Sequence, residues 1–279
     1  MRSGRLAFAA FALLLPGLML GACVPRDPAG NAADATNNAA AANFADRMAG
    51  TPPPAPPAKA FKAEDNSPLL EFSYAYPAQA AAVPALVAKF GAGMKAAKDD
   101  AMKMAREDSR SAKESGYPFR AHSLETEWSV AADTPRFLSL RSQTYVYTGG
   151  AHGMTGYDTL LWDKTRGRES STKALMTSPA AFAAAIHDRF CKELDRQRAE
   201  KRGEPVVPGD DEFTQCIDPM EQVLVPTSKD GTLIDGVTVV IGPYSAGPYA
   251  EGSYEVALPV DAAMLKAIRT DYRDAFAQP

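Results

Sequence analysis

The sequence predicts an α+β fold of two related halves, each a helix packed on a mainly antiparallel sheet. Three observations predict it. Two stretches, 84–115 and 179–202, repeat apolar residues at three- and four-residue steps, as amphipathic helices do. Around them run short segments with two-residue alternation, bounded by turn residues. Strands and helices do not alternate one-for-one at crossover spacing, which argues against a doubly wound parallel sheet.

The chain opens with Arg2 and Arg5, followed by a charge-free run, Leu6–Leu20. A membrane-spanning helix needs about 20 apolar residues; this run has 15 and contains Pro16. A positive start, a short apolar core and small residues at its end describe a signal peptide over 1–22. Leu20-Gly21-Ala22-Cys23 resembles the bacterial lipobox, whose cysteine sulfur receives diacylglycerol and becomes the new N-terminus. An ordinary signal peptide with a chance cysteine is the alternative. The expected localisation is the cell envelope, with a membrane as partner through a lipid anchor on Cys23. Val24, rather than Asp, favours the outer membrane facing the periplasm, by resemblance to enterobacterial sorting. Residues 23–60 are rich in Ala, Asn and Pro and hold few large apolar side chains. They cannot bury enough surface to offset ordering, so they read as a disordered linker.

The first folded half is expected over 61–153. Leu69–Pro77 reads as a strand ended by proline. A helix then runs from about Pro84 to Ser115, with Val83, Leu86, Val87, Phe90, Met94, Ala97, Ala101 and Ala105 on its inward stripe. Its methionines read as core filler, and Gly116-Tyr117-Pro118 ends it. Phe119–Val130 alternates, placing His122, Leu124, Thr126, Trp128 and Val130 on one face. Ala131–Pro135 is a turn, and Phe137–Tyr147 alternates again, which makes a hairpin. His122 reads as a half-buried, satisfied residue.

The second half is expected over 154–279. Gly156–Trp162 is a short strand, and Ser178-Pro179 caps a helix that runs to about Arg202 with Phe182, Ile186, Phe190 and Leu194 inward. His187 falls on its solvated side. An acidic loop, 203–220, carries Cys216; strands follow at 222–226, 233–241 and 253–258, and Asp261 caps a last helix to about Phe276. In an oxidising compartment disulfides persist, and a bond between Cys191 and Cys216 is expected. It would close a loop of about 26 residues, contributing roughly 3–4 kcal/mol in the chain-entropy model. Two free buried thiols, or half of a metal site, are the alternatives.

The chain of 279 residues carries a net charge of −4. Loss of 1–22, which hold two arginines and no acids, makes this −6. With no basic stripe, nucleic acid is excluded as a partner, whereas a cationic partner suits such a surface. The three histidines, His122, His152 and His187, stand 30 and 35 residues apart, without a paired metal motif. Ser245 in PYSAGP lacks the nucleophile-elbow pattern. No cofactor, metal or catalytic residue is expected, and the chain reads as non-enzymatic.

The most unusual string is Tyr145-Val-Tyr-Thr-Gly-Gly-Ala-His-Gly153. Its glycines allow positive φ and close backbone approach. It reads either as a ligand loop with His152 as polar contact, or as a tight connection with His152 capping free backbone groups. Tyr244, Tyr249 and Tyr254 recur every five residues, which suits an aromatic contact surface or a bend entering a strand. The candidate ligand-binding residues are Tyr147, Gly149, Gly150, His152, Gly153 and Tyr244.

YVYTGGAHGM, the following YDTLLWDKTRGRESSTKALM, and IGPYSAGPYAEGSYEVALP together resemble a family of paired bacterial envelope domains, over residues 65–270. That family includes the extracytoplasmic, lysozyme-binding part of the anti-sigma-V factor, and the accessory domain of a peptidoglycan deacetylase. The resemblance implies a binding module for an envelope protein or glycan, such as a lysozyme-like cationic enzyme. The other implied reading is a peptidoglycan-directed hydrolase or deacetylase accessory domain. Signalling to a sigma factor does not carry over, because only five residues precede the apolar run and no spanning helix is expected.

Overall fold

The structure, a computed structural model, describes residues 57–207, 211 and 213–279. The expected signal peptide 1–22, Cys23 and the linker up to residue 56 lie outside the described residues. Among the described residues no helix is long and apolar enough to cross a membrane.

The fold is α+β, with a six-stranded sheet, a three-stranded sheet and helices that build two cores. The large sheet runs in chain order: β1 (Phe61–Asn66), β2 (Leu70–Tyr76), β3 (His122–Asp133), β4 (Phe137–Tyr147), β5 (Met154–Asp163) and β6 (Arg168–Ser170). Its one parallel pair is β2 with β3, and the other neighbours are antiparallel. The parallel pair is bridged by a short helix α1 (Ala78–Ala81) and the long helix α2 (Pro84–Ser115). Pro84 sits in the first turn of α2, and Gly116 ends the helix in the left-handed region with φ 75°.

Alternation along the strands gives the sheet two faces. The inner face puts Leu70, Phe72 and Tyr74 of β2, Leu124 of β3, Leu138 and Leu140 of β4, and Leu160 of β5 against Leu86, Phe90 and Ala101 of α2. Val87 and Ala97, expected on the inward stripe of α2, are exposed instead. The outer face supplies Ala132, Phe137 and Leu161 to the other core, which is built from the rest of the chain. A bulge between Val130 and Ala132 shifts the register where this second contact begins.

The second core holds α3 (Pro179–Arg202), the sheet β7 (Val223–Thr227), β8 (Gly236–Ile241) and β9 (Tyr254–Pro259), and α4 (Ala262–Ala267). Ser178 caps α3 by accepting from the Ala181 N–H, and Phe182, Ile186, Phe190 and Leu194 face inward as the period requires. The expected disulfide between Cys191 and Cys216 is present, with Cα atoms 5.4 Å apart. It ties the 203–218 loop to the middle of α3.

Two expectations need revision, and a strand the sequence does not signal, β1, precedes the first expected strand Leu69–Pro77. The boundary expected between 153 and 154 separates two strands of one sheet, because β4 and β5 pair over ten rungs, from Phe137↔Asp163 to Val146↔Met154. The last helix is broken: α4 stops at Ala267, Ile268 turns extended to bridge Met176, and a 3-10 turn follows over Thr270–Ala275.

Candidate functional site

The GGAHG string is the hairpin connection between β4 and β5. Gly149 and Gly150 take φ of 100° and 84°, values that side-chain-bearing residues rarely adopt. The Tyr147 hydroxyl donates to the Gly150 carbonyl at 3.2 Å and braces the turn. Gly153 is glycine for a different reason: a Cβ there would lie 2.4 Å from the Tyr145 ring. That ring leaves room at this position only for hydrogen.

His152 is exposed but not loose. Its Nδ1 meets the Gly153 carbonyl at 2.9 Å, and its ring stacks on Tyr249, with centroids 3.7 Å apart and planes 17° apart. The Tyr249 hydroxyl donates to the same carbonyl at 2.8 Å. Tyr244 lies 5.6 Å from Tyr249, is 48% exposed, and holds a non-glycine φ of 69°. The two strings singled out in the sequence, nearly a hundred residues apart, therefore meet in an aromatic cluster. Tyr254 is not part of that surface: it is buried at the start of β9.

The tyrosine-bearing loop is pinned to the end of α3 by basic side chains. Arg198, fully buried, donates from Nε to the Ala246 carbonyl at 2.9 Å. Arg202 pairs with Glu251 at 2.8 Å, and Lys201 donates to the Glu251 and Ser253 carbonyls at 2.6 Å each. Burial acts to raise the Glu251 carboxyl, yet hydrogen bonds from Arg202 and Tyr254 hold it below the usual range. Burial, reinforced by Glu251, pushes the Tyr254 phenol up to about 12. None of these basic residues carries a sequence pattern that marks it as a loop clamp.

On its other flank the glycine turn borders an open cleft of about 490 Å³. Asp108, Tyr117, Phe119 and Arg120 line it with His122 and the glycine pair. His122 is 2% exposed, more buried than its strand face suggests. Its Nε2 lies 3.2 Å from Asp108 Oδ2, and its Nδ1 is buried without a partner.

Around the hairpin lies the outer face of the large sheet, and it is of two kinds. Over β4 and β5 the second core covers it. Arg141 pairs with Glu255 at 2.7 Å, the Tyr157 hydroxyl meets Ser253 at 2.9 Å, and Ser139 and Leu161 are buried. Over β1, β2 and the first part of β3 its outward residues are exposed or half-buried, whereas the end of β3 joins the second core at Ala132. Cross-strand register puts Glu64, Ser73, Glu125 and Tyr145 on one rung, Glu71, Ser123 and Tyr147 on the next, and Ala75, Glu127 and Gln143 on a third. Glu64, Glu71, Glu125 and Glu127 are all exposed, and the lysine on this face, Lys62, is taken by Glu64 at 2.5 Å. The glutamates are an unread signal: they alternate with the inward residues Leu124, Thr126 and Trp128. Tyr145 and Tyr147 join this acidic surface to the aromatic cluster. Tyr147, Gly149, Gly150, His152, Gly153 and Tyr244 thus fall in one neighbourhood, at the rim of an open acidic face.

Comparison with known proteins places this region in context. Residues 63–155 match the family model described as Deacetylase PdaC, a stretch from β1 through the GGAHG turn into β5. No curated protein matches the chain. Among solved structures, it is similar to a member of the DUF3298 family from Bacteroides fragilis, at 20% identity and a TM-score of 0.46, covering 75% of this chain and 92% of that one. It is also similar to a DUF3298 family protein from Pseudomonas aeruginosa PAO1, at 15% identity and a TM-score of 0.42, covering 79% of this chain and 97% of that one.

Proposed function

We propose that this chain is a non-enzymatic binding module of the bacterial cell envelope, exported and lipid-anchored at Cys23 on the outer membrane, that docks a cationic envelope protein of the lysozyme kind. The observation that carries the reading is the open face of β1, β2 and the first part of β3, with exposed Glu64, Glu71, Glu125 and Glu127 beside the aromatic rim of Tyr145, Tyr147 and His152. A patch of one sign attracts a partner of the other and speeds encounter. Aromatic side chains at its edge supply apolar contact area at low entropic cost. The engagement of the His152 ring by Tyr249 and the Gly153 carbonyl suits a positioning role better than proton transfer.

The PdaC match favours a second reading, an accessory domain that serves a peptidoglycan deacetylase by holding glycan. Retention of lysozyme on the immobilised, lipid-free chain at low salt separates the two. The first reading expects retention that salt abolishes, since charges on an exposed face are screened within about 8 Å at physiological ionic strength. It also expects loss of retention in the Glu125→Lys/Glu127→Lys double variant. No retention, or retention indifferent to both salt and charge reversal, contradicts it. His152→Ala adds a further division: loss of a turnover points to an enzyme, and loss of retention alone to a binding module.

A further inference from the structure

His187 and Cys191 of α3 and Cys216 of the following loop gather in one cluster. We infer that the disulfide is one of two states of this corner, and that the reduced pair, with His187, forms a site for Zn²⁺ or a similar thiophilic divalent cation. The four-residue spacing on α3 puts His187 and Cys191 on one helix face. With the two sulfurs joined in the disulfide, the potential donor atoms of the three residues all lie within 4.8 Å of one another. A tetrahedral ion bonded at about 2.3 Å to sulfur and about 2.05 Å to nitrogen holds a sulfur and the nitrogen about 3.6 Å apart and the two sulfurs about 3.8 Å apart. His187 Nε2 already stands 3.6 Å from Cys191 Sγ.

A second feature orients the imidazole. His187 Nδ1 meets Asp188 Oδ1 at 3.1 Å, which leaves Nε2 as the free nitrogen facing the sulfurs. Such carboxylate–histidine pairs fix the tautomer of metal-binding histidines. Reduction need not scatter the ligands, because the loop that carries Cys216 is held to α3 by contacts other than the disulfide. Arg198 donates to the Gln215 carbonyl at 3.0 Å, Arg202 donates to the Phe213 carbonyl at 3.1 Å, and Ile217 packs against the second core. Two thiolates and one imidazole leave a fourth position for water, the arrangement of an open zinc site.

The two states exclude each other because they use the same sulfurs. An external dithiol closing to its own disulfide gives up two electrons and two protons. The Cys191–Cys216 bond breaks and takes them up as two thiols. Binding of the cation then releases both thiol protons and neutralises the two thiolates.

The test is cobalt titration of the full chain after reduction with a phosphine, which does not compete for metal as a dithiol would. Reduced protein is expected to develop thiolate-to-cobalt charge-transfer absorption and tetrahedral d–d bands at one ion per chain, and Zn²⁺ is expected to displace the cobalt. Oxidised protein shows neither band. Asp188→Asn weakens binding by about 10-fold, and His187→Ala by more than that. Absence of the bands in reduced protein, or equal affinity in His187→Ala, overturns the proposal. Should reduction alone melt the chain, Zn²⁺ must restore its circular dichroism in the wild type but not in His187→Ala; recovery in both or in neither also overturns it. The His187 side chain is 58% exposed, so the oxidised His187→Ala chain serves as the folding control and keeps the wild-type melting temperature.

Discussion

The outer face of the large sheet carries one backbone and two chemistries. Toward β4 and β5 it presents Ser139, Leu161 and Phe137, buried beneath the second core. Toward β1–β3 the same alternation presents Glu64, Glu71, Glu125 and Glu127 to solvent. The buried centre of the covered part is apolar or small because it must be dehydrated, and Arg141 and Tyr157 at its margin are paired with Glu255 and Ser253. The open part is predominantly acidic: four glutamates share it with one lysine, Lys62, which pairs with Glu64.

Substitutions on each part sharpen the contrast. Phe137→Ala empties the junction of the two cores at a fully buried position and is expected to cost about 3–5 kcal/mol, read from denaturant unfolding. A cost near zero would mean that the second core does not rest on this face. Gly153→Ala drives a Cβ into the Tyr145 ring and is expected to cost about 1–3 kcal/mol. It should also weaken partner retention, since the ring links the hairpin to the acidic face.

The clamp beneath the tyrosine loop has a pH signature. The Tyr254 phenol sits at about 12 in the fold, above its unfolded value of about 10. The neutral form is therefore favoured by folding. Its contribution is complete below about pH 10 and is lost as pH rises through about 12. Tyr254→Phe should flatten the fall in stability over that window in alkaline unfolding curves. Smallest of all, Glu127→Gln on the open face should change stability by no more than about 0.5 kcal/mol while lowering retention of a cationic partner. A loss of several kcal/mol there would show the glutamate to be structural.

Much of this was legible in the sequence. Periodicity marks 84–115 and 179–202 as helices because both bury an apolar stripe, and the structure returns Pro84–Ser115 and Pro179–Arg202. β1 was not legible: FKAEDN has one large apolar residue, and it pairs as an edge strand through backbone hydrogen bonds. The last helix fails at Ile268 for a tertiary reason, the bridge to Met176, that no local pattern records. The glycine and tyrosine strings each stood out, but their meeting through His152 and Tyr249 depends on α3 positioning the second loop with Arg198, Lys201 and Arg202. The acidic face was visible as Ser123-Leu-Glu-Thr-Glu127, yet only the inward residues of that alternation signal a fold. Outward residues show their use only once neighbouring strands align them.

Amide hydrogen exchange with and without a lysozyme-type cationic protein at low salt tests the docking claim most directly. Added protection is expected in the free edge strand Phe61–Asn66 and in the 148–153 turn, with none along the exposed side of Pro84–Ser115 or around Cys191–Cys216. Protection confined to those latter regions, or no change anywhere at saturating partner, would contradict it.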